Sequence, residues 1–311
     1  MSSTDANPDP TAAISVIIPV YNDAPGLTQT VESLLAADMA QGDEIIIVDN
    51  GSGDDTYRVA RTFDEDHPGR VAALLEDSIQ GSYAARNRGI EAADGEILAF
   101  IDADMTVPED YFSAVRARFE DGDVDYLGCD VRIVVGDPTP AGHYNGLTGF
   151  PIQAYIERGR YAPTCCLCIR RDCIDRIGPF DHRLESGGDM EFGKRAHAAG
   201  LTQKFAEEIT LHHPARTEFQ ALINKQRRIG RGHAQLSHHH SERFSLLTEL
   251  YLTPWKYFLP HNPLKLRSQC RERGWDIGVA VLLTIAFWRI PLAWAGLAAY
   301  LGEARRLSAG R

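Results

Sequence analysis

Short apolar runs alternate with helical patterns between residues 14 and 102, and this alternation limits the fold more than any other feature of the chain. The runs are ISVIIPVYN (14–22), EIIIVDN (44–50), VAALLE (71–76) and EILAFID (96–102). Strands without polar alternation are typical of parallel sheets that helices cover on both faces. The pattern therefore predicts an α/β fold with a Rossmann-like, mostly parallel sheet and helices on both faces.

Polar residues follow the second and fourth runs, where each predicted strand ends. Asp49, Asn50 and Ser52 come after the second run, and Asp102 and Asp104 come after the fourth. Because ligands of open α/β sheets bind outside the carboxyl ends of the strands, these side chains mark a predicted site. The sequence contains neither G-x-G-x-x-G nor a P-loop. A nucleotide bound at this edge would need another anchor for its diphosphate.

Asp102 and Asp104 are two carboxylates separated by one residue. In an extended segment, residues i and i+2 point to the same side, so both can reach one ion. Carboxylate oxygens suit Mg²⁺ or Mn²⁺, which keep positions open for phosphate oxygens. The alternative is a strand end followed by a helix, with Thr106 as its cap and Pro108 in its first turn. The residues alone leave both interpretations open.

Beyond residue 125 the sequence predicts an antiparallel extension of the sheet. We expect a strand in DYLGCDVRIVV (125–135), a loop rich in Gly and Pro (136–151), a helix near 152–160 and a Cys-rich strand (164–170). The spacing of Cys165-x-x-Cys168 is that of a zinc-ligand pair, but no second pair or matching histidines accompany it. Buried thiols on a strand are the favoured interpretation.

Two later segments carry candidate polar residues. In ESGGDMEFGKRAHAAG (185–200), paired glycines permit a close approach, and Asp189 opens a predicted helix that contains Glu191. Asp189 is either a functional carboxylate or simply the helix N-cap. In LHHPART (211–217), His212 or His213 could complete a metal shell, although histidines at a strand end are more often surface residues.

The C-terminal part is basic and ends in an apolar stretch. Residues 1–125 hold 26 acids and 7 bases, whereas residues 216–311 hold 6 acids and 15 bases. The apolar stretch 277–302 contains Arg289 and Pro291 near its middle. A kinked membrane span, a re-entrant hairpin, an interfacial helix pair and a helix pair packed on the core are the alternatives. Bases on both sides favour an element that returns to, or lies on, one leaflet.

Five blocks in order over residues 14–216 resemble family 2 glycosyltransferases of the GT-A fold. They are VIIPVYND, EIIIVDNGSGDDT, GSYAARNRGIEAADGEILAFIDAD, GGDMEFGKR and LHHPAR. The segment LINKQRRIGRGHAQL (222–236) further resembles members that assemble exopolysaccharides and lipid-linked glycans. The resemblance implies a GT-A nucleotide-diphospho-sugar transferase fold with a C-terminal helical, partly apolar extension. The expected division is a disordered tail (1–12), a catalytic domain (13–216, with halves 13–104 and 105–216) and a basic extension (217–311).

The resemblance also implies roles for individual residues. Asp49 corresponds to the aspartate that contacts the nucleotide base, with Pro19 and Tyr21 lining the base. Arg86 and Asp102 lie near the donor, Asp102 and Asp104 hold the metal and the diphosphate, and His213 reaches one of them. Asp189 corresponds to the catalytic base, with Gly188 and Glu191 on the acceptor side. The family commonly has Glu where Gly188 stands, and often Asn where Cys165 or Cys166 stands.

These roles imply an inverting, metal-dependent transfer from a UDP- or GDP-sugar to a hydroxyl of a glycan acceptor. We expect a polyprenyl-linked acceptor, no nucleic acid partner, and a location on the cytoplasmic face of the membrane, because residues 1–12 do not form a signal peptide. The alternatives are a polyprenyl-phosphate sugar synthase of the same fold, a sugar nucleotidyltransferase, and a carbohydrate-binding scaffold. The absence of basic residues from VIIPVYNDAPG disfavours the nucleotidyltransferase.

Overall fold

The computed structural model describes residues 12–120, 122–244, 251 and 257–310. The predicted tail falls, except for residue 12, outside this range. One sheet contains the strands β1 (Ile14–Val20), β2 (Glu44–Asp49), β3 (Val71–Leu75), β4 (Ile97–Phe100), β5 (Tyr126–Val134), β6 (Leu167–Arg170) and β7 (Gln203–Pro214).

The strand order is β3-β2-β1-β4-β6-β5-β7. The pairs β1–β2, β2–β3 and β1–β4 are parallel, whereas β6 pairs antiparallel with β4 and with β5. The hydrophobic residues of β1, β2 and β4 are buried on both faces, which is why these runs show no polar alternation. The predicted α/β fold with an antiparallel extension is confirmed.

Helices connect and follow the strands. They are α1 (Ala24–Leu35), α2 (Thr56–Asp66), α3 (Ser82–Ala92), α4 (Tyr111–Glu120), α5 (Pro140–Leu147), α6 (Ile152–Ala154, continued by a π-helical turn at Tyr155–Gly159), α7 (Arg171–Ile177), α8 (Gly188–Ala198), α9 (Phe219–His239), α10 (Ser241–Phe244), α11 (Pro263–Glu272) and α12 (Val279–Ala309). In α1, Asp23 caps the amide of Gly26, and Leu27, Val31 and Leu34 form the buried face.

Two sequence predictions about local structure are wrong. The expected loop at 136–151 contains α5, because Pro140 begins that helix behind the cap Thr139. The Cys-rich strand is shorter than expected, since Thr164–Cys166 is a 3₁₀ turn and only Leu167–Arg170 is strand. For residues 277–302 the sequence left several alternatives open, and of these the structure excludes the hairpin and the helix pairs, because α12 runs continuously through Pro291.

All six cysteines are buried and none forms a disulfide. The expectation of buried thiols is confirmed, although Cys165 and Cys166 lie on the 3₁₀ turn rather than on the strand. Burial raises the pKa of the Cys166 thiol well above its ordinary value, which keeps it protonated and unreactive. Within the described residues no cluster of three or more His, Cys, Asp or Glu could hold a metal ion, so the zinc interpretation gains no support.

The chain divides into two compact units. The first comprises Met1–Asp130, Ile152–Phe180 and Gly193–Leu211, and the second comprises Val131–Pro151, Asp181–Phe192 and His212–Arg311. The second unit has its own apolar core, to which α5, α9, α11 and α12 contribute Ala141, Tyr144, Leu147, Leu222, Leu266, Cys270, Leu282, Ile285, Ala286 and Leu292. By length and composition alone, α12 could cross a membrane.

Candidate functional site

Asp49 is a fully buried carboxylate at the last position of β2. Its Oδ1 accepts hydrogen bonds from the backbone amides of Gly51 (3.1 Å) and Ser52 (2.9 Å). Its Oδ2 is also buried and has no hydrogen-bond partner among the described residues. Since a buried acceptor without a partner is costly, Oδ2 is positioned to accept a hydrogen bond from a ligand.

The end of β1 lies directly beside Asp49, because Val20 pairs with it in the parallel register. Pro19 is half-buried, and Tyr21 just beyond the strand is 54% exposed. Asn22 takes a left-handed φ of 51°, and its Oδ1 accepts from the amide of Gly53 at 2.7 Å. The structure thus brings together the three residues expected to contact a base, Pro19, Tyr21 and Asp49, on neighbouring strand ends.

Asn50 has a role that the sequence did not reveal. Its amide Nδ2 donates to the carbonyl oxygens of Glu76 (2.7 Å) and Ile79 (2.9 Å), and its Oδ1 accepts from the amide of Gly81 (2.6 Å). These bonds fix the loop that leads from β3 into α3, the helix that carries Arg86. The sequence signal for it was an amide side chain directly after Asp49, at the end of a predicted strand.

Arg86 and Asp102 form an ion pair at the carboxyl edge of the sheet. Arg86 NH2 lies 2.5 Å from Asp102 Oδ1, and the exposed fractions of the two side chains are 4% and 39%. Arg86 Nε is buried and finds no partner among the described residues, while the guanidinium lies 5.6 Å from the ring centroid of Tyr83. The buried arginine therefore orients a partly exposed carboxylate.

The two acidic residues of the D-A-D motif lie on a turn rather than on an extended strand. β4 ends at Phe100, and the amide of Met105 donates to the carbonyl oxygen of Asp102 at 3.3 Å. Asp102 and Asp104 are half-buried, while Ala103 between them is buried. The interpretation as a helix cap is also wrong, because α4 begins at Tyr111.

Close packing against α1 holds this turn in place. The Met105 amide also donates to Thr30 Oγ1 at 3.1 Å. A Cβ atom at Gly26 would lie 2.5 Å from the carbonyl oxygen of Ala103, so only glycine permits this approach. The oxygen donors of Asp102 and Asp104 have the chemistry that suits Mg²⁺ or Mn²⁺.

Asp189, Gly188 and Glu191 belong to the second unit, where α8 begins. The carbonyl oxygen of Gly187 accepts the helix bond from the Glu191 amide at 3.0 Å, so Asp189 lies within the first turn and is not the N-cap. Gly188 is buried. Glu191 is 2% exposed and lies 3.4 Å from Arg243 NH1.

Helix α9 holds the loop that leads to Asp189. Asp181 Oδ2 accepts from Arg183 NH2 (2.7 Å) and from His240 Nε2 (2.8 Å), just beyond α9. Arg231 of α9 donates to Glu185 at 2.7 Å. Burial raises the pKa of the Asp181 carboxyl, but the hydrogen bonds from Arg183 and His240 outweigh it and hold that pKa well below its ordinary value. No sequence pattern indicates these contacts.

His213 is 4% exposed and also lies in the second unit, whereas His212 is exposed. His213 Nδ1 lies 2.7 Å from the carbonyl oxygen of Pro214. A carbonyl oxygen can only accept, so the proton resides on Nδ1 and Nε2 carries the lone pair of the neutral ring. That tautomer is one in which Nε2 can bind a metal. The interpretation of the histidine pair as surface residues is wrong for His213.

Family models match most of the chain. The model described as "Glycosyl transferase family 2" matches residues 15–178. A second model, "Glycosyl transferase family group 2", matches residues 97–302. The two matched ranges together span residues 15–302, which include all seven strands except Ile14 of β1, as well as Asp49, Asp102 and Asp189.

Known proteins show the same similarity. The glycosyltransferase AglE of Haloferax volcanii is 34% identical over 285 residues, which are 90% of this chain and 91% of that protein. The mannosyltransferase PcManGT from Pyrobaculum calidifontis, solved with GDP-Man and Mn²⁺, superposes with a TM-score of 0.59 at 22% identity, over 97% of this chain and 89% of that one. The solved structure of GalNAc-T7 with UDP, GalNAc and Mn²⁺ superposes with a TM-score of 0.55 at 18% identity, over 67% of this chain and 44% of that one. The solved structures share the GT-A-like fold.

Proposed function

The chain belongs to glycosyltransferase family 2, and from this premise we propose that it moves a sugar from a nucleoside diphosphate sugar to a hydroxyl of a glycan acceptor, with inversion. The observation that carries the proposal is Asp49, whose buried Oδ2 has no partner among the described residues. The N–H groups of uracil and of guanine are the donors that this oxygen would accept. Pro19 and Tyr21 on the neighbouring strand end would line the base.

A divalent ion, Mg²⁺ or Mn²⁺, is part of this proposal. Asp102 and Asp104 would hold it through carboxylate oxygens. The support is the donor chemistry of the D-A-D turn, the orientation of Asp102 by Arg86, and the Mn²⁺ in two solved structures of this fold. A bound ion would supply positive charge to a departing diphosphate.

Asp189 is proposed to accept the proton of the attacking hydroxyl. A single displacement needs one side-chain base within hydrogen-bond reach of the acceptor oxygen. As the oxygen attacks C1 of the sugar, the bond from C1 to the diphosphate breaks, and the proton passes to Asp189. Gly188 and Glu191 in the same first turn of α8 would face the acceptor.

The proposed acceptor is a glycan on a polyprenyl carrier at the cytoplasmic face of the membrane. Two features of the second unit support it: the long apolar helix α12 and the excess of bases after residue 216. A lipid-linked acceptor requires the enzyme to work at the bilayer surface, where basic residues are attracted to anionic headgroups. An enzyme that acts on a soluble acceptor would have no need of either feature.

The test is a thermal-shift screen of UDP- and GDP-sugars with and without Mn²⁺. A ligand that binds only the folded state stabilises by mass action, so the correct donor should raise Tm, and more strongly with Mn²⁺. The selected donor should then release its nucleoside diphosphate slowly in the absence of acceptor. Consumption that requires pyrophosphate would instead indicate a nucleotidyltransferase. If none of the nucleotide sugars shifts Tm or is consumed, the proposal is wrong.

A further inference from the structure

An apolar stripe runs along one face of α12. Val279, Leu283, Phe287, Trp294 and Leu301 are 43–64% exposed, and their spacing of four and seven residues places them on one side of the helix. At about 1.5 Å per residue the stripe is roughly 33 Å long. The one charged residue of the sequence between 279 and 302 is Arg289, which is half-buried and lies off this face. Large apolar surfaces left exposed in this way mark interaction sites.

The opposite face of α12 packs on α9. Gly230 of α9 approaches the carbonyl oxygen of Gly296 so closely that a Cβ atom would collide with it. Farther along, Gln235 donates to the buried Glu303 at 3.1 Å. α9 itself carries Lys225, Arg227, Arg228 and Arg231.

This packing disfavours a membrane crossing. If α12 crossed the bilayer, the charges of α9 would have to enter the hydrocarbon beside Gly296, or the two helices would have to separate. Charged side chains near the bilayer centre cost several kcal/mol each, and separation would expose the polar pair Gln235–Glu303 to lipid. A helix that keeps one face on α9 can offer only its other face to lipid.

Exposed bases flank the stripe at both ends of the helix. Lys265, Arg267, Arg271 and Arg273 precede α12, and Arg305 and Arg306 follow its apolar part; all six are exposed. The acids of this stretch are Glu272, Asp276 and the buried Glu303. If α12 crossed the bilayer, these two groups of bases would lie on opposite sides of it. If α12 lies flat, both groups meet the headgroups of one leaflet.

We infer that α12 lies in the plane of one leaflet, with its exposed stripe among the acyl chains and the flanking bases on anionic headgroups. The inference rests on the membrane location in the proposed function and specifies its geometry. The enzyme is then monotopic, bound to a single leaflet. The partner that covers the exposed stripe of α12 is an anionic bilayer surface. A second copy of the chain is the competing outcome.

The first experiment locates the two ends of α12 relative to the membrane. Ser268→Cys and Ser308→Cys place exposed thiols before and after the helix, and the six native cysteines are buried. The full-length variants are bound to sealed phosphatidylglycerol vesicles and treated with a maleimide that cannot cross membranes. We expect both thiols to react to the same extent before detergent is added. Protection of one thiol until detergent is added means that α12 crosses the bilayer and overturns the inference.

The second experiment tests the stripe. Leu283→Ser with Phe287→Ser should reduce partitioning into phosphatidylglycerol vesicles by roughly tenfold or more, because both side chains lose their burial in lipid. Val134→Ser is the matched control, since Val134 is 48% exposed in the same unit but lies on β5. Arg271→Gln with Arg273→Gln should weaken binding to phosphatidylglycerol but not to phosphatidylcholine. If the stripe variant binds vesicles normally and instead converts a lipid-free dimer to a monomer, the stripe is a dimer interface and the inference is wrong.

Turnover of the nucleotide sugar in detergent separates this inference from the proposed function. Normal turnover without vesicle binding overturns the in-plane geometry alone. Absence of turnover with every nucleotide sugar overturns the proposed function, while the labelling result still decides the geometry.

Discussion

Asp49 combines a fixed orientation with an unused acceptor. Two backbone amides bind Oδ1, so the carboxylate cannot turn away, and Oδ2 stays buried. A buried charge without a full set of partners reduces stability, and such groups are retained where a ligand completes them. The buried Oδ2 therefore lowers the stability of the fold, and nucleotide binding would remove this loss.

We expect Asp49→Asn to weaken binding of the donor nucleotide by roughly 10- to 100-fold, the worth of one hydrogen bond to a charged group. The amide keeps one oxygen for Gly51 and Ser52 but replaces the free acceptor with a donor, so Tm without ligand should change little. Titration calorimetry with UDP and GDP measures the loss. Asp64→Asn, at a half-buried carboxylate of α2 that pairs with Arg61 on the helix surface, is the control. Unchanged affinity would show that Asp49 does not contact the base.

Asp189→Asn tests the proposed base. Asn retains the oxygen that accepts from the Met190 amide at 2.9 Å but cannot take a proton, so turnover should fall by roughly 10²–10⁴-fold while donor affinity is preserved. The measurement is release of nucleoside diphosphate with acceptor present. Glu207→Gln removes an exposed carboxylate of β7 without a proton-transfer role and should remain active. Turnover within about threefold of the parent would mean that another group is the base.

At the scale of elements, the N-terminus of α1 and the D-A-D turn depend on each other. The Gly26→Ala variant would force the new Cβ against the carbonyl of Ala103 and the carboxylate of Asp23. We expect a loss of about 1–3 kcal/mol in the free energy of unfolding and weaker Mn²⁺-dependent nucleotide binding. Denaturant unfolding and thermal shift measure the two effects. In Gly136→Ala the Cβ meets nothing within 4 Å, so both quantities should stay near parental values.

The loop from Asp181 to α8 should respond to pH. The folded-state pKa of Asp181 is depressed, so its stabilisation is complete above the ordinary aspartate pKa of about 3.9 and is lost as the pH falls below it. Arg183 and His240 donate hydrogen bonds to this carboxylate, and His239 lies farther away. Asp181→Asn should therefore cost about 1–3 kcal/mol at pH 7 and progressively less below pH 4. Urea unfolding at several pH values measures this difference, with the exposed Asp276→Asn as control; a difference independent of pH would contradict the prediction.

Elements that show a short-range sequence pattern were predictable. Elements that depend on packing against residues far away in the sequence were not. The runs in β1, β2 and β4 identified a parallel sheet because strands buried on both faces must be apolar throughout. α5 was mistaken for a loop because its glycines were taken as turn residues. A Cβ at Gly146 would lie 2.5 Å from the ring of Trp275, so this glycine serves close packing with a residue more than a hundred positions away.

The same limit applies to the candidate site. Asp49 and Asp102 were placed correctly at the carboxyl edge because parallel topology brings strand ends together. Predicting the ion pair between Arg86 and Asp102 would have required the path of α3, which the sequence does not specify. Asn50 and the contacts of α9 to the Asp189 loop depend on side-chain hydrogen bonds between segments 26–59 positions apart. No local sequence pattern indicates such hydrogen bonds.

At the scale of the whole molecule, charge is distributed unevenly along the chain. Residues 1–125 carry 26 acids and 7 bases, and residues 216–311 carry 6 acids and 15 bases. Repulsion among the acids lowers the stability of the folded state, while the bases favour contact with an anionic surface. Both effects are electrostatic, so salt screens both. Screening should raise the stability of the folded state but weaken contact with an anionic surface.

Raising NaCl from about 0.1 M to about 1 M shortens the Debye length from about 10 Å to about 3 Å. We therefore expect the Tm of the full-length protein to rise, because repulsion within the acidic part weakens, and binding to phosphatidylglycerol vesicles to fall over the same range. Thermal unfolding and vesicle flotation at matched salt concentrations measure the two trends, with phosphatidylcholine vesicles as the uncharged control. A Tm that falls with salt would mean that attraction between opposite charges outweighs repulsion among the acids. Vesicle binding that ignores salt would assign the membrane contact to the apolar stripe of α12 alone.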